Sequence, residues 1–115
     1  MIDQESKENL KKLLAVVEEL RKVDDTMSLP ALKAFLLYAL HDGETGNRLL
    51  VEQNLGYSNA TASRATLYWT DMKTPRDKGA NKIDQLVDPM DRRARYIQLN
   101  RAGLELVNKL VEKIK

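Results

Sequence analysis

Few side chains in this sequence are equipped for covalent chemistry. It has no cysteine and a single histidine, His41. Disulfide frameworks, thiolate nucleophiles, zinc fingers and iron–sulfur clusters are therefore excluded. The carboxylate pairs Asp24/Asp25 and Asp88/Asp91 fall in expected turns. No matching base, nucleophile or glycine-rich phosphate loop accompanies them. His41 is expected in the last turn of a helix, where the macrodipole favours a cation. No catalytic residue, metal or cofactor is expected, and the chain reads as a non-enzyme.

What the sequence does concentrate is arginine, lysine and small hydroxyl side chains. Residues 59–66 run Asn-Ala-Thr-Ala-Ser-Arg-Ala-Thr. A helix that only fills a core carries larger aliphatics. A helix that enters a DNA major groove needs short side chains, so that its backbone approaches the bases. It also needs hydroxyls and amides for phosphates and base edges. Asn59, Thr61, Ser63, Arg64 and Tyr68 make the expected outward face, with Ser58 as cap; Ala62, Ala65, Thr66 and Trp69 make the inward one. Lys73, Arg76 and Lys78 follow in a polar loop over 73–81, where Pro75 and Gly79 argue against regular structure. Lys82, Arg92, Arg93 and Arg95 extend the basic series.

Charge is distributed accordingly. Residues 1–57 carry seven Lys/Arg against ten Asp/Glu, and residues 58–101 carry nine against five, within a formal net charge of +2. A basic centre beside an acidic half points to a local anionic partner. Lys and Arg neutralise phosphates and release counterions, which supplies affinity for duplex DNA. An ordinary surface helix rich in Ser and Thr has the same composition. A module that binds another protein is the alternative function.

Several elements must hold these residues. A helix is expected over 3–24, with Leu10, Leu13, Leu14, Val17 and Leu20 as one apolar stripe close to a heptad seam. Ser28 caps a second helix over about 29–41, with Pro30 in its first turn. Its expected buried face is Leu29, Leu32, Phe35, Leu36, Ala39 and Leu40, and Gly43 suits its C-terminal end. A short helix over about 46–54 ends at Gly56, and Ser58 caps the next, over about 59–72. Two short helices joined by a glycine-containing turn outline a helix-turn-helix over 46–72. Strands over 82–87 and 94–99 form a hairpin whose tip carries Arg92 and Arg93. Arg95, Ile97 and Leu99 share one face of the second strand. Asn100 caps a last helix over 101–115, whose stripe is Leu104, Val107, Val111 and Ile114, with Leu110 flanking.

The 115 residues make a single domain, mainly α with a small β-hairpin. The apolar share of 43% and charged share of 31% fit a globular chain. No apolar run approaches the roughly 18 residues that span a membrane, and the polar, acidic N-terminus does not read as a signal peptide. The amphipathic first and last helices either close over their own domain or pair with a second copy; a homodimer is the expectation.

At Asp88 to Gly103 the sequence resembles the MarR family of bacterial transcription regulators. Asp91 and Arg93 fill its Asp-x-Arg wing motif. Leu99 and Gly103 fill the outer positions of Leu-Thr-x-x-Gly, with Asn100 in place of threonine. Residues 58–64 resemble the start of the family's recognition helix. The resemblance implies a winged helix-turn-helix dimer on near-palindromic DNA. The recognition helix would lie in the major groove, and Arg93, oriented by Asp91, would reach toward the minor groove. The expected setting is the cytoplasm, and a nucleoid-associated protein of a bacterial or phage-infected cell is expected. The passage between Trp69 and Ile83 is longer than the family's and lacks its usual Leu-x-x-x-Gly-Leu/Ile-Ile pattern. The sequence names no small-molecule effector.

Overall fold

Short polar side chains open the helices by satisfying backbone N–H groups that have no partner within the first turn. The computed structural model describes residues 1–42, 47–87, 89–90 and 95–115. Helix α1 (Gln4–Arg21) begins where the Asp3 carboxylate accepts the Ser6 N–H at 2.7 Å. Helix α2 (Leu29–Leu40) begins at Ser28, which accepts from Ala31, with Pro30 in its first turn. Helix α3 (Arg48–Leu55) is capped by Asn47, and α4 (Asn59–Tyr68) by Ser58. Strands β1 (Ile83–Val87) and β2 (Arg95–Leu99) pair antiparallel, from Ile83 opposite Leu99 to Val87 opposite Arg95. Helix α5 (Arg101–Ile114) closes the order; the Asn100 side chain accepts the Gly103 N–H at 2.9 Å. The architecture is five helices and a two-stranded hairpin, the mainly helical winged fold the sequence implied. The expected C-terminal glycine of α2, Gly43, lies outside the described residues.

The chain divides into two compact units, one of Ser28–Leu104 and one of Met1–Met27 with Glu105–Lys115. In the first, α2 is the central element. Its buried face is Ala31, Ala34, Phe35 and Tyr38. This corrects the leucine face expected for it: Leu29 is 70% exposed and Leu40 80% exposed, and Leu36 is exposed as well. The helix is apolar nearly all round, so periodicity did not single out a face. The small alanines are what allow a close neighbour. Trp69, fully buried, stacks on Phe35 with ring centroids 4.5 Å apart and donates its indole N–H to the Ala31 carbonyl at 2.6 Å.

In the other unit, Leu20 of α1 and Leu106 and Leu110 of α5 are buried. The Glu19 carboxylate pairs with Lys22 at 3.0 Å and lies 3.7 Å from Lys113. The Lys22 hydrogen bond, helped by the charges of Lys22, Lys113 and Lys109, holds Glu19 below the usual carboxylate range despite some desolvation. The buried stripe of α5 therefore runs one position away from the expected one. Leu104, Val111 and Ile114 are exposed and Val107 is half-buried. Among the described residues, no helix is long and apolar enough to cross a membrane.

Candidate nucleic-acid interface

The turn between α3 and α4 is built from small local devices. Gly56 ends α3 in the left-handed conformation, φ 71°, and its N–H bonds the Glu52 carbonyl. A side chain at that φ is strained, so glycine suits the sharp reversal. Two residues on, the Ser58 hydroxyl accepts the Thr61 N–H at 3.2 Å and starts α4. Lys33 of α2 lies over the Tyr57 ring, 5.3 Å from its centroid, which ties the turn to the central helix.

The inward face of α4 is the expected one. Ala62, Ala65, Thr66 and Trp69 are all buried. Thr66 shares a buried 2.7 Å hydrogen bond with the Tyr38 hydroxyl, and burial pushes the Tyr38 phenol up to about 12 against the opposing effect of that bond. With the Trp69–Ala31 bond, α4 is pinned to α2 at two depths. That fixes which residues face outward. Asn59 and Arg64 are exposed, while Thr61, Ser63 and Tyr68 are half-buried. Arg64 lies 3.5 Å from the Thr61 hydroxyl, and the Tyr68 ring meets Trp69 edge-on at 5.0 Å.

Helix α4 stops at Tyr68, short of the expected 72, because the chain turns there. The Thr70 hydroxyl donates to the Leu67 carbonyl at 2.7 Å, and the returning strand covers the helix end. The N–H groups of Ala80, Asn81 and Lys82 bond the carbonyls of Tyr68, Thr70 and Trp69. Gly79 sits so close to the Thr70 and Tyr68 carbonyls that a Cβ would overlap them. The passage expected to be an irregular loop is thus an ordered reversal. Met72 bridges Lys78, and Thr74-Pro75-Arg76-Asp77 is a β-turn closed by the Asp77 N–H on the Thr74 carbonyl at 3.3 Å. The Thr74 hydroxyl accepts from the Arg76 and Asp77 N–H groups. Proline after threonine, with aspartate closing the turn, is the signal for this element, since Pro fixes φ at the second turn position.

The hairpin leaves from this reversal. Ile83, Ile97 and Leu99 are buried, Gln98 is exposed, and the Leu99 N–H reaches the Asp42 carboxylate at 3.4 Å. Gly103 explains the spacing of the Leu-Asn-Arg-Ala-Gly segment. A Cβ there would overlap the Lys82 carbonyl, which already accepts the Asn100 N–H at 3.1 Å. Asn100 also donates to the Asn81 carbonyl at 3.0 Å, and Asn81 takes a left-handed φ of 54° to present it. The hairpin root, the reversal and the start of α5 therefore share one junction. Asp91, Arg92 and Arg93 lie outside the described residues, as does the Arg95 side chain.

One open groove of about 510 Å³ runs beside α4. Thr61, Arg64 and Tyr68 line it from α4, Ser28 and Pro30 from the start of α2, and Lys73 and Thr74 from the reversal. Arg64, Lys73, Arg76 and Lys78 are all exposed, and of these Arg64 and Lys73 line the same groove. Sequence reasoning missed Ser28, Thr74 and Asp77 as parts of this surface. Among the described residues, no group of three or more His or carboxylate side chains is placed to hold a metal ion.

Comparison with solved structures places this geometry. RV1404 from Mycobacterium tuberculosis is similar with a TM-score of 0.68 and 19% identity, over 90% of this chain and 64% of that one. A mutant of MepR from a multidrug-resistant S. aureus clinical isolate matches with a TM-score of 0.65 and 15% identity, over 98% of this chain and 76% of that one. A second S. aureus MepR mutant gives 0.65 and 17%, over 89% and 65%. MepR is a MarR-family regulator, and RV1404 is MarR-like. The chain has a MarR-like winged-helix fold. It spans less than two thirds of the length of the RV1404 chain and of the second MepR chain. No family profile matches the sequence, and no curated protein matches it.

Proposed function

We propose that this chain is a non-enzymatic transcription regulator that binds duplex DNA as a homodimer in the cytoplasm, with α4 as its recognition helix. The observation that carries this reading is the outward face of α4. It presents Ser58, Asn59, Thr61, Ser63, Arg64 and Tyr68 on a helix pinned from behind, with Lys73, Arg76 and Lys78 beside its end. Short polar side chains let that helix enter the major groove, while the flanking cations neutralise phosphates. The family resemblance adds Arg92, Arg93 and Arg95 to the proposed DNA contacts, with Asp91 as the residue proposed to orient Arg93.

The apolar seam of α1 supports a dimer. Leu10, Leu13, Leu14 and Val17 are each about half exposed or more. Leu104, Val111 and Ile114 of α5 are exposed too, with Val107 half-buried beside them. A contiguous apolar stripe of this kind marks a protein contact. Leu20 is already buried in the single chain and contributes from within rather than on that face. A two-fold dimer sets two recognition helices about 34 Å apart, which demands a palindromic site.

The test is the salt dependence of duplex binding. Several phosphate contacts make affinity fall steeply between roughly 50 and 200 mM salt. No binding of duplex DNA at low salt, or a flat salt response, would contradict the DNA reading and favour a winged helix that docks on another protein.

A further inference from the structure

We infer that the ordered reversal Met72–Lys78 is a phosphate clamp that grips the DNA backbone alongside the recognition helix, separately from the wing. The inference rests on the DNA-binding reading above and deepens it.

The reversal is positioned from both of its ends. The carbonyls of Tyr68, Trp69 and Thr70 at the end of α4 hold the strand that leaves it, and Gly79 permits an approach closer than any side chain allows. At its tip, the Lys73 and Thr74 N–H groups both bond the Asp77 carbonyl, and the Thr74 hydroxyl caps Arg76 and Asp77. The Thr74 hydroxyl also lies 3.1 Å from the Asp77 carboxylate. The turn therefore organises itself without using its cations, which leaves Lys73, Arg76 and Lys78 exposed. No ion pair involving these three occurs among the described residues.

The occupant follows from charge and shape. Arg64 and Lys73 line one open groove, together with Ser28, Thr61 and Thr74. An arginine and a lysine, with the Ser28 and Thr61 hydroxyls beside them, suit a phosphate diester, which carries one charge and offers acceptors in more than one direction. Arg64 also lies on the outward face of the recognition helix, so a strand held in the groove is the strand bordering the bases that α4 reads. Arg76 and Lys78, farther along the turn, meet the next phosphates of the same strand.

The test measures binding of a mixed-sequence duplex to the full chain across roughly 50 to 200 mM salt, using the slope of log affinity against log salt. Each phosphate contact contributes a slope of about 0.9. Removing all three cations (Lys73→Ala, Arg76→Ala, Lys78→Ala) is expected to reduce the slope by about two or more. Thr74→Val keeps the formal charge but releases the turn, and is expected to reduce it by about one. Unchanged slopes in both variants, with Arg64→Ala still weakening binding, would overturn the clamp and leave the recognition helix intact. A reduced slope in the triple variant with none in Thr74→Val would also overturn it, because charge without an ordered turn would then suffice. Failure of the unsubstituted chain to bind duplex at low salt would instead overturn the DNA-binding reading itself.

Discussion

In the proposed complex, Arg64 is the residue that both the recognition helix and the clamp would use. It stands on the exposed side of α4, one turn beyond Thr61, and borders the groove that Lys73 closes. If Arg64 contacts DNA as proposed, Arg64→Ala is expected to weaken specific binding by about 1–3 kcal/mol without unfolding the chain. Arg93→Ala in the wing motif is expected to do the same. Titration of both variants against a selected site checks this, and unchanged affinity in both would contradict the docking geometry. Tyr38 gives a second prediction. Its phenol is pushed from an ordinary 10.0 up to about 12 by burial, so the folded chain holds that proton more tightly than the unfolded one. Its contribution is complete below pH 10 and is lost as pH rises toward about 12. Denaturation free energies of the unsubstituted chain should fall more steeply across that window than those of Tyr38→Phe. At neutral pH, the same variant leaves the Thr66 hydroxyl short of its buried partner, a loss of roughly 1–3 kcal/mol.

Helix boundaries were largely legible because caps are local chemistry. Ser28, Ser58, Asn100 and the glycine at 56 each act within a few residues of themselves, and each does what its type suggests. The inward face of α4 was legible for a related reason: it offers few large side chains, and Trp69 dominates it. What was not legible depends on distant partners. On α2, the choice between the leucine face and the alanine face is made by Trp69, whose indole reaches Ala31 only because the alanines leave room. On α5, two adjoining apolar stripes compete, and Leu106 with Leu110 is the buried one. The reversal after α4 was hidden because Pro75 and Gly79 read as breakers, whereas here one shapes a turn and the other permits a close approach. Gly103 belongs to the same class. Gly103→Ala is expected to destabilise the chain by about 1–3 kcal/mol and to loosen the hairpin root, since a Cβ meets the Lys82 carbonyl. Thermal unfolding with amide exchange at β1 and β2 measures both effects.

Across the whole molecule, Arg64, Lys73, Arg76 and Lys78 are exposed on α4 and the reversal, while α1 and α5 carry exposed apolar positions among their own charged residues. Under the proposed function, the first set of elements meets DNA and α1 and α5 meet a second copy of the chain. If α1 makes that contact, removal of residues 1–24 converts the protein to monomers, as light scattering would read directly. A dimer persisting at low micromolar concentration after truncation would move the interface elsewhere. Leu29, Leu36 and Leu40 of α2 are the exposed apolar positions to examine next in that event.

The most direct test of the central claim is selection of bound sequences from a random duplex pool by the full-length chain. A two-fold DNA-binding dimer predicts enrichment of a palindrome, with half-sites about one helical turn apart. A pool that stays random, or that converges on a single unrepeated site, would contradict it.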